Sequence, residues 1–208
     1  MIAGMTQEIF TGLILFAFAT SITPGPNNLM LLASGANFGW RRTLPHMAGV
    51  ALGFGVMAVV LGAGLVQVFD AFPASYTVLQ VLCVIYMVWL AWKIANAAAP
   101  TAGAEAGRPI TFLQACAFLW VNPKAWAMAL TALTNYAPGH GLPAVLFVAS
   151  VFTAVNFPSV GCWALLGERM RGLLANPKRL RAFNILMAIL LLASLWPVLR
   201  SGGIIPQG

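Results

Sequence analysis

Six long apolar runs constrain this chain more than any other feature of its sequence. They cover approximately residues 8–36, 44–68, 75–95, 111–134, 142–166 and 182–200. A helix needs about 20 predominantly apolar residues to cross the hydrocarbon core of a bilayer. Only 7% of the 208 residues are charged, against roughly 25% in an average soluble domain. We therefore predict an all-α integral membrane protein with six transmembrane helices.

The basic residues fall almost entirely in alternate connections between these runs. Nine of them lie in three connections, at Arg41, Arg42, Lys93, Arg108, Arg169, Arg171, Lys178, Arg179 and Arg181. The opposite side carries only Arg200. Cytoplasmic loops carry the excess of Lys and Arg in membrane proteins, so the pattern predicts that both termini lie outside the cytoplasm. Because the net charge of +7 is dispersed in this way, we do not expect nucleic-acid binding.

A Pro- and Gly-rich stretch at residues 96–110 is typical of a linker. It divides the chain into a first three-helix repeat at 1–95, a cytoplasmic linker at 96–110, and a second three-helix repeat at 111–208. Because each half contains an odd number of spans, three, the second half crosses the membrane in the opposite direction to the first. The sequence therefore predicts two inverted repeats.

Each predicted repeat contains an interruption in its first span. Pro24, Gly25 and Pro26 interrupt helix 1, and the sequence Asn122-Pro123-Lys124 interrupts helix 4, because proline removes a backbone donor and disfavours helical geometry before it. Paired interrupted segments are a sequence indicator of a transporter's central binding site. Structural kinking is the alternative interpretation of this pairing.

The two interruptions predict a site suited to an anionic group. Under the predicted topology, each half-helix that follows a break begins near the bilayer centre, and helix N-termini carry unpaired N–H groups and partial positive charge. Lys124 is the one ionisable residue predicted at that depth, and its partner is expected to be freed backbone carbonyls, water or a ligand carboxylate. The predicted substrate-binding residues are Pro24, Gly25, Pro26, Asn27, Asn28, Asn122, Pro123, Lys124, Tyr86 and Asn156.

The remaining chemistry-bearing residues predict no catalytic, cofactor or metal site. The three cysteines are isolated, without a CxxC pair, and are expected to be small core side chains. His46 and His140 lie near the ends of predicted spans, where solvated side chains are expected. We therefore predict that the protein is not an enzyme.

Several motifs along the chain resemble the LysE/RhtB family of bacterial amino-acid exporters. They are residues Thr23 to Asn28, Ala48 to Gly53, Tyr86 with Val88 to Lys93, Asn122 to Lys124, and Cys162 to Leu165. The last part of the third span and the segment Cys162 to Leu165 are similar to the cysteine/O-acetylserine exporter branch. The resemblance implies a six-helix efflux carrier of the bacterial inner membrane, driven by the proton gradient.

The sequence thus favours a secondary active exporter of a neutral amino acid or an amino-acid-derived metabolite, working by alternating access with a coupling proton. An exporter of basic amino acids or of a metal cation is one alternative. A non-transporting membrane scaffold or assembly factor is another, because the segment Arg169 to Arg181 is expected to contact anionic lipid headgroups. Formation of a homo-oligomer is left open.

Overall fold

The computed structural model describes residues 6–65, 71–72, 74–96, 108–137, 141–193 and 195–196. Within these ranges the chain forms helices and no strand. The α-helices are α1 (Gln7–Ile22), α2 (Pro26–Phe38), α3 (Trp40–Val60), α4 (Ala74–Ala95), α5 (Phe112–Trp120), α6 (Pro123–Tyr136), α7 (Leu142–Met170) and α8 (Pro177–Ala193). A π-helical turn, Leu61–Leu65, extends α3, and a short 3-10 helix, Leu173–Ala175, precedes α8.

Helices long and apolar enough to cross a membrane are present among the described residues. Two pass by length and composition, Trp40–Leu65 and Leu142–Met170, and the bent pair formed by α1 and α2 makes a third if it is one span. The protein is thus an all-helical membrane protein. The six-span count and the orientation of the termini stay predictions, and most of the predicted linker, residues 97–107, lies outside the described part of the chain.

Both predicted helix breaks are present. The axes of α1 and α2 differ by 57° across the break, and α2 starts with Pro26 in its first turn, where a missing N–H costs no hydrogen bond. The second break separates α5 from α6, which begins at Pro123 after the N-cap residue Asn122. Each of these two prolines therefore starts the helix that follows the break.

The long helix α7 lies at the centre of the packing. It contacts α1, α2 and α3, while α3 also packs against α5, and α4 packs mainly against α8. Stacking of Phe54 on Phe152, with ring centroids 4.3 Å apart, joins α3 to α7 in the core. Many large apolar side chains point outward instead, such as Leu15, Val56 and Leu113. An apolar exterior of this kind suits contact with lipid.

Glycines allow the backbones of neighbouring helices to touch. A Cβ atom added at Gly35 of α2 would collide with the carbonyl oxygen of Ala164 on α7, and one added at Gly167 would collide with the carbonyl oxygen of Leu32. Small residues allow close approach between membrane helices. The α2–α7 pair is therefore held at a separation that no larger residue at these two positions permits.

The turn between α2 and α3 depends on a single residue. Gly39 ends α2 and starts α3 with φ at 81°, a conformation that glycine adopts without steric cost. Oε1 of Glu168, in the last turn of α7, accepts a hydrogen bond from the backbone N–H of Trp40 at 3.2 Å. This carboxylate therefore caps α3 from a different helix and complements its N-terminal dipole.

We predict that Gly35→Ala and Gly167→Ala lower the thermal stability of the detergent-solubilised protein. Overpacking of a tight interface costs roughly 1–3 kcal/mol or more, whereas alanine is otherwise the better helix former. Gly172→Ala is the matched control, because nothing lies within 4 Å of a Cβ atom at that position. Unfolding followed by tryptophan fluorescence measures the difference, and equal midpoints for all three variants would contradict the close α2–α7 contact.

Candidate functional site

The first break exposes the carbonyl groups at the end of α1, and side chains from three other helices bind them. Asn28 of α2 donates through Nδ2 to the carbonyl oxygens of Ser21, at 2.7 Å, and of Thr23, at 2.8 Å. The indole Nε1 of Trp163 on α7 donates to the carbonyl oxygen of Ile22 at 3.0 Å. Lipid offers no such donors, so these side chains stabilise the break.

Lys124 of α6 is the third donor and joins the two breaks directly. Its Nζ donates to the carbonyl oxygen of Thr23 at 2.8 Å, to the hydroxyl of Thr23 at 2.9 Å, and to the carbonyl oxygen of Pro24 at 3.3 Å. Of the partners expected from the sequence, freed backbone carbonyls are thus the ones present. The ammonium group has three protons, and each has an acceptor here.

A glycine lets Lys124 reach these acceptors. A Cβ atom added at Gly25 would lie 2.8 Å from Cδ and 3.1 Å from Nζ of Lys124. The first distance is too short for a real contact, so any side chain at position 25 would displace the lysine. Gly25 therefore leaves room for the Lys124 side chain between the two breaks.

At the second break, side chains of the same segment form hydrogen bonds with the backbone groups beside the break. The indole Nε1 of Trp126 donates to the carbonyl oxygen of Trp120 at 2.9 Å. The side-chain oxygen of Asn122 accepts from the backbone N–H of Lys124 at 3.1 Å. The N-terminus of α6 is thus capped, whereas no side chain caps α2 at Gly25.

The two breaks border a common cavity of about 30 Å³. That volume holds a water molecule or two, and ligand pockets usually have several hundred Å³. Its apolar wall includes Val50, Phe54, Leu119, Met128 and Val160. Its polar wall is formed by Thr20, Ser21, Asn27, Asn28, Asn122, Lys124 and Asn156.

The structure brings most of the predicted site residues to this cavity. Those that line it are Gly25, Pro26, Asn27, Asn28, Asn122, Lys124 and Asn156. Pro24 contributes its carbonyl oxygen to Lys124, and Pro123 begins α6 without lining the cavity. Tyr86 of α4 packs against Phe118 at 5.3 Å between ring centroids and is not part of the cavity wall.

Two buried polar atoms beside the first break have no hydrogen-bond partner within the described part of the chain. They are Oδ1 of Asn27 and Oγ of Ser21, both from residues that line the cavity. Buried polar groups are normally paired. These two atoms, together with the uncapped N-terminus of α2, leave the cavity with free hydrogen-bonding capacity.

The structure corrects two expectations about side chains inside the helices. His46 is fully buried rather than solvated, because Pro45 and His46 lie within α3, which already begins at Trp40. Cys162 is exposed rather than part of the core, while Cys116 donates to the carbonyl oxygen of Gly49 at 3.3 Å. His140 and the side chain of Cys83 lie outside the described residues.

Sequence reasoning missed several contributors to the site. Thr20 and Ser21 directly precede the break and line the cavity, and Trp163 completes the end of α1 from α7. The position of Ser21 before two prolines is a local signal that could have identified it. The role of Trp163 depends on how α7 packs against α1, for which the sequence carries no local signal.

Two broken helices that meet at a polar cavity are an arrangement found in many membrane transporters. Comparison with known proteins agrees with the transporter class. A family model described as LysE type translocator matches residues 18–194. Cysteine/O-acetylserine efflux proteins of Escherichia coli (strain K12) and Shigella flexneri are each 32% identical to the chain over 192 residues, which cover 90% of this chain and 95% of the relative.

The corresponding efflux protein of Escherichia coli O139:H28 (strain E24377A / ETEC) is 32% identical over 193 residues, covering 90% of this chain and 96% of the relative. No solved structure matches the chain. The chain therefore belongs to the LysE type translocator family, and it is a transporter rather than an enzyme. Among the described residues, no group of three or more His, Cys, Asp or Glu side chains could hold a metal ion.

We predict that Asn28→Leu destabilises the protein, because it leaves the carbonyl groups of Ser21 and Thr23 with fewer donors. A buried polar group without a partner costs about 1–3 kcal/mol. Asn37→Leu is the control, since Nδ2 of Asn37 donates only to the carbonyl oxygen of Ala33 within its own helix. Thermal unfolding in detergent compares the two variants, and an equal loss in both would argue against the role of Asn28 at the break.

Proposed function

We propose that the protein is a secondary active exporter of a neutral amino acid or an amino-acid-derived metabolite, and that it works by alternating access. The observation that carries this proposal is the cavity at which both helix breaks meet, with Lys124 between them. The names of the relatives, cysteine/O-acetylserine efflux proteins, support an amino-acid substrate.

In this proposal the N-terminus of α2 holds the substrate carboxylate. The first turn of α2 has no side-chain cap, and its unpaired N–H groups and dipole favour an anion. Nζ of Lys124 lies beside Gly25 at the same helix end and adds a positive charge. The N-terminus of α6 contributes less, because Asn122 already caps it.

The unpaired acceptors at the first break suit the substrate's amino group. Oδ1 of Asn27 and Oγ of Ser21 are buried without partners in the described part of the chain, and an ammonium group supplies donors for both. The amide of Asn156 extends the polar wall on α7. A zwitterionic backbone can therefore be bound without a protein carboxylate.

The rest of the cavity wall favours a substrate with an uncharged side chain. No Asp or Glu is among the described residues that line it, and Phe54 and Leu119 contribute apolar surface. A second cationic group would stay unpaired there at a high desolvation cost. Lysine and arginine are therefore disfavoured as substrates.

The small volume of the cavity supports the proposal of alternating access. About 30 Å³ is too little for an amino acid, so the present arrangement corresponds to a closed state. The contacts between Lys124 and Thr23 span the two breaks, and they have to separate when substrate enters. The backbone contacts between α2 and α7 are expected to persist through the cycle.

The packing supports six spans arranged as two inverted repeats. Under that arrangement α3 corresponds to α7 and α4 to α8, and each of these pairs is in contact. The contact of α3 with the broken pair α5–α6 corresponds to the contact of α7 with α1–α2. Both termini then lie outside the cytoplasm of a bacterial inner membrane, and the segment Arg169 to Arg181 contacts anionic headgroups.

Transport of radiolabelled substrate in reconstituted vesicles tests this function. Vesicles preloaded with cysteine, O-acetylserine or another neutral amino acid are expected to show protein-dependent flux that an imposed proton gradient stimulates. Lysine and arginine should give little flux. The proposal fails if no neutral amino acid or derivative tested is transported above the level of protein-free vesicles.

We predict that Lys124→Ala and Asn27→Ala abolish this flux while membrane insertion is retained. Lys124→Ala removes the cation at the α2 N-terminus, and Asn27→Ala removes an acceptor in the cavity. Lys93→Ala is the matched control, because Lys93 does not line the cavity. Its Nζ lies 4.7 Å from the ring centroid of Trp89, which does not line the cavity either. Normal flux in both site variants would overturn the assignment of the binding site.

A further inference from the structure

A buried histidine on α3 has no role in the structure described above. His46 is fully buried, and neither ring nitrogen has a hydrogen-bond partner among the described residues. A neutral imidazole has one donor and one acceptor, so both are left unused. Buried polar groups without partners are rare and call for an explanation.

The position of His46 relates it to the proposed substrate cavity. It precedes Val50 by one helical turn, a rise of roughly 6 Å, and residues four apart share a helix face. Val50 lines the cavity. Because α3 begins at Trp40, His46 lies between that end of the helix and the cavity.

We propose that His46 is the residue that binds the coupling proton of the exporter. This inference rests on the proposed proton-coupled transport. It assigns that proton to one side chain that lies outside the predicted set of substrate-binding residues.

The other ionisable groups near α3 are less suited to this role. Besides Arg41 and Arg42 of α3 itself, the ionisable groups on the helices that pack against it are Cys116 on α5, Lys124 and Tyr136 on α6, and Cys162, Glu168 and Arg169 on α7; α2 has none. All three protons of Lys124 have acceptors, and Glu168 caps α3. Histidine is a common proton carrier in proteins, and, unlike Lys124 and Glu168, His46 has two ring nitrogens without hydrogen-bond partners among the described residues.

Burial of the ring provides a physical route from protonation to conformational change. When a proton from the outside binds to an imidazole nitrogen, the resulting imidazolium has two donors and a positive charge at a position where the ring has no hydrogen-bond partner among the described residues. Such a charge is unfavourable unless it is paired or hydrated. Protonation therefore disfavours this packing and shifts the population toward a conformation in which water reaches the ring.

The proposed cycle conserves charge and changes no covalent bond in the substrate. One proton enters from the outside, occupies His46 and leaves to the cytoplasm, while one zwitterionic substrate moves outward. Each cycle then carries one net positive charge inward. Transport should respond to the membrane potential as well as to the pH difference.

Two flux measurements on one preparation separate coupling from transport itself. Exchange of labelled for unlabelled substrate needs no gradient, whereas net flux is measured with and without an imposed pH difference. In His46→Asn and His46→Gln, both neutral, we expect exchange to continue and stimulation by the gradient to be lost. Thr43→Val is the control, because Thr43 is buried on the same helix and cannot titrate, and it should keep the stimulation.

The outcomes distinguish the two proposals. If the wild-type protein moves no substrate, the proposed function fails. If the wild-type protein is stimulated by the gradient and an exchanging His46 variant is stimulated equally, the assignment of the proton to His46 is overturned.

A spectroscopic measurement covers the case in which the variants fail to fold. The chain has two histidines, so His140→Asn leaves His46 as the only one, and its ring ¹⁵N chemical shifts report protonation directly. We expect those shifts to titrate over the pH range in which net flux changes. A ring that stays neutral throughout that range would overturn the proposal.

Discussion

The hydrogen bonds that end α1 are the interaction on which the rest of the site depends. A helix that stops inside a membrane exposes carbonyl groups that lipid cannot satisfy. Here Asn28, Trp163 and Lys124 supply the donors, and each comes from a different helix. The break can therefore exist only when α2, α6 and α7 have already packed around it, which couples the local interruption to the whole tertiary structure.

The packing combines a rigid part with a part that depends on reversible contacts. Gly35 and Gly167 bring the backbones of α2 and α7 together, and such contacts leave no room for sliding. The two breaks are instead joined by the flexible side chain of Lys124. Long side chains can exchange acceptors without disturbing a helix core, so this joint is the more suitable place for motion in a transport cycle.

Local signals in the sequence predicted the helical membrane class, both breaks and most of the polar side chains that line the cavity. Proline, glycine and asparagine reveal a break because their effect on the backbone is local. The burial of His46 and the role of Trp163 could not be predicted in the same way. Each depends on which helix lies opposite, and the composition of an apolar run does not determine which other helices pack against it. Lys124 is intermediate, since freed backbone carbonyls were among its predicted partners, but the particular residues that supply its acceptors could not be predicted.

Because α1 and α2 meet at a bend of 57°, a small rotation at the first break moves the far end of α1 over a larger distance. The 16 residues of α1 form an arm of roughly 24 Å at 1.5 Å per residue. A rotation of only about 10° around the break would move the far end of that arm by roughly 4 Å. Under the proposed alternating access, a hydrogen-bond exchange at Thr23 would thus be amplified into a larger displacement at the far end of α1.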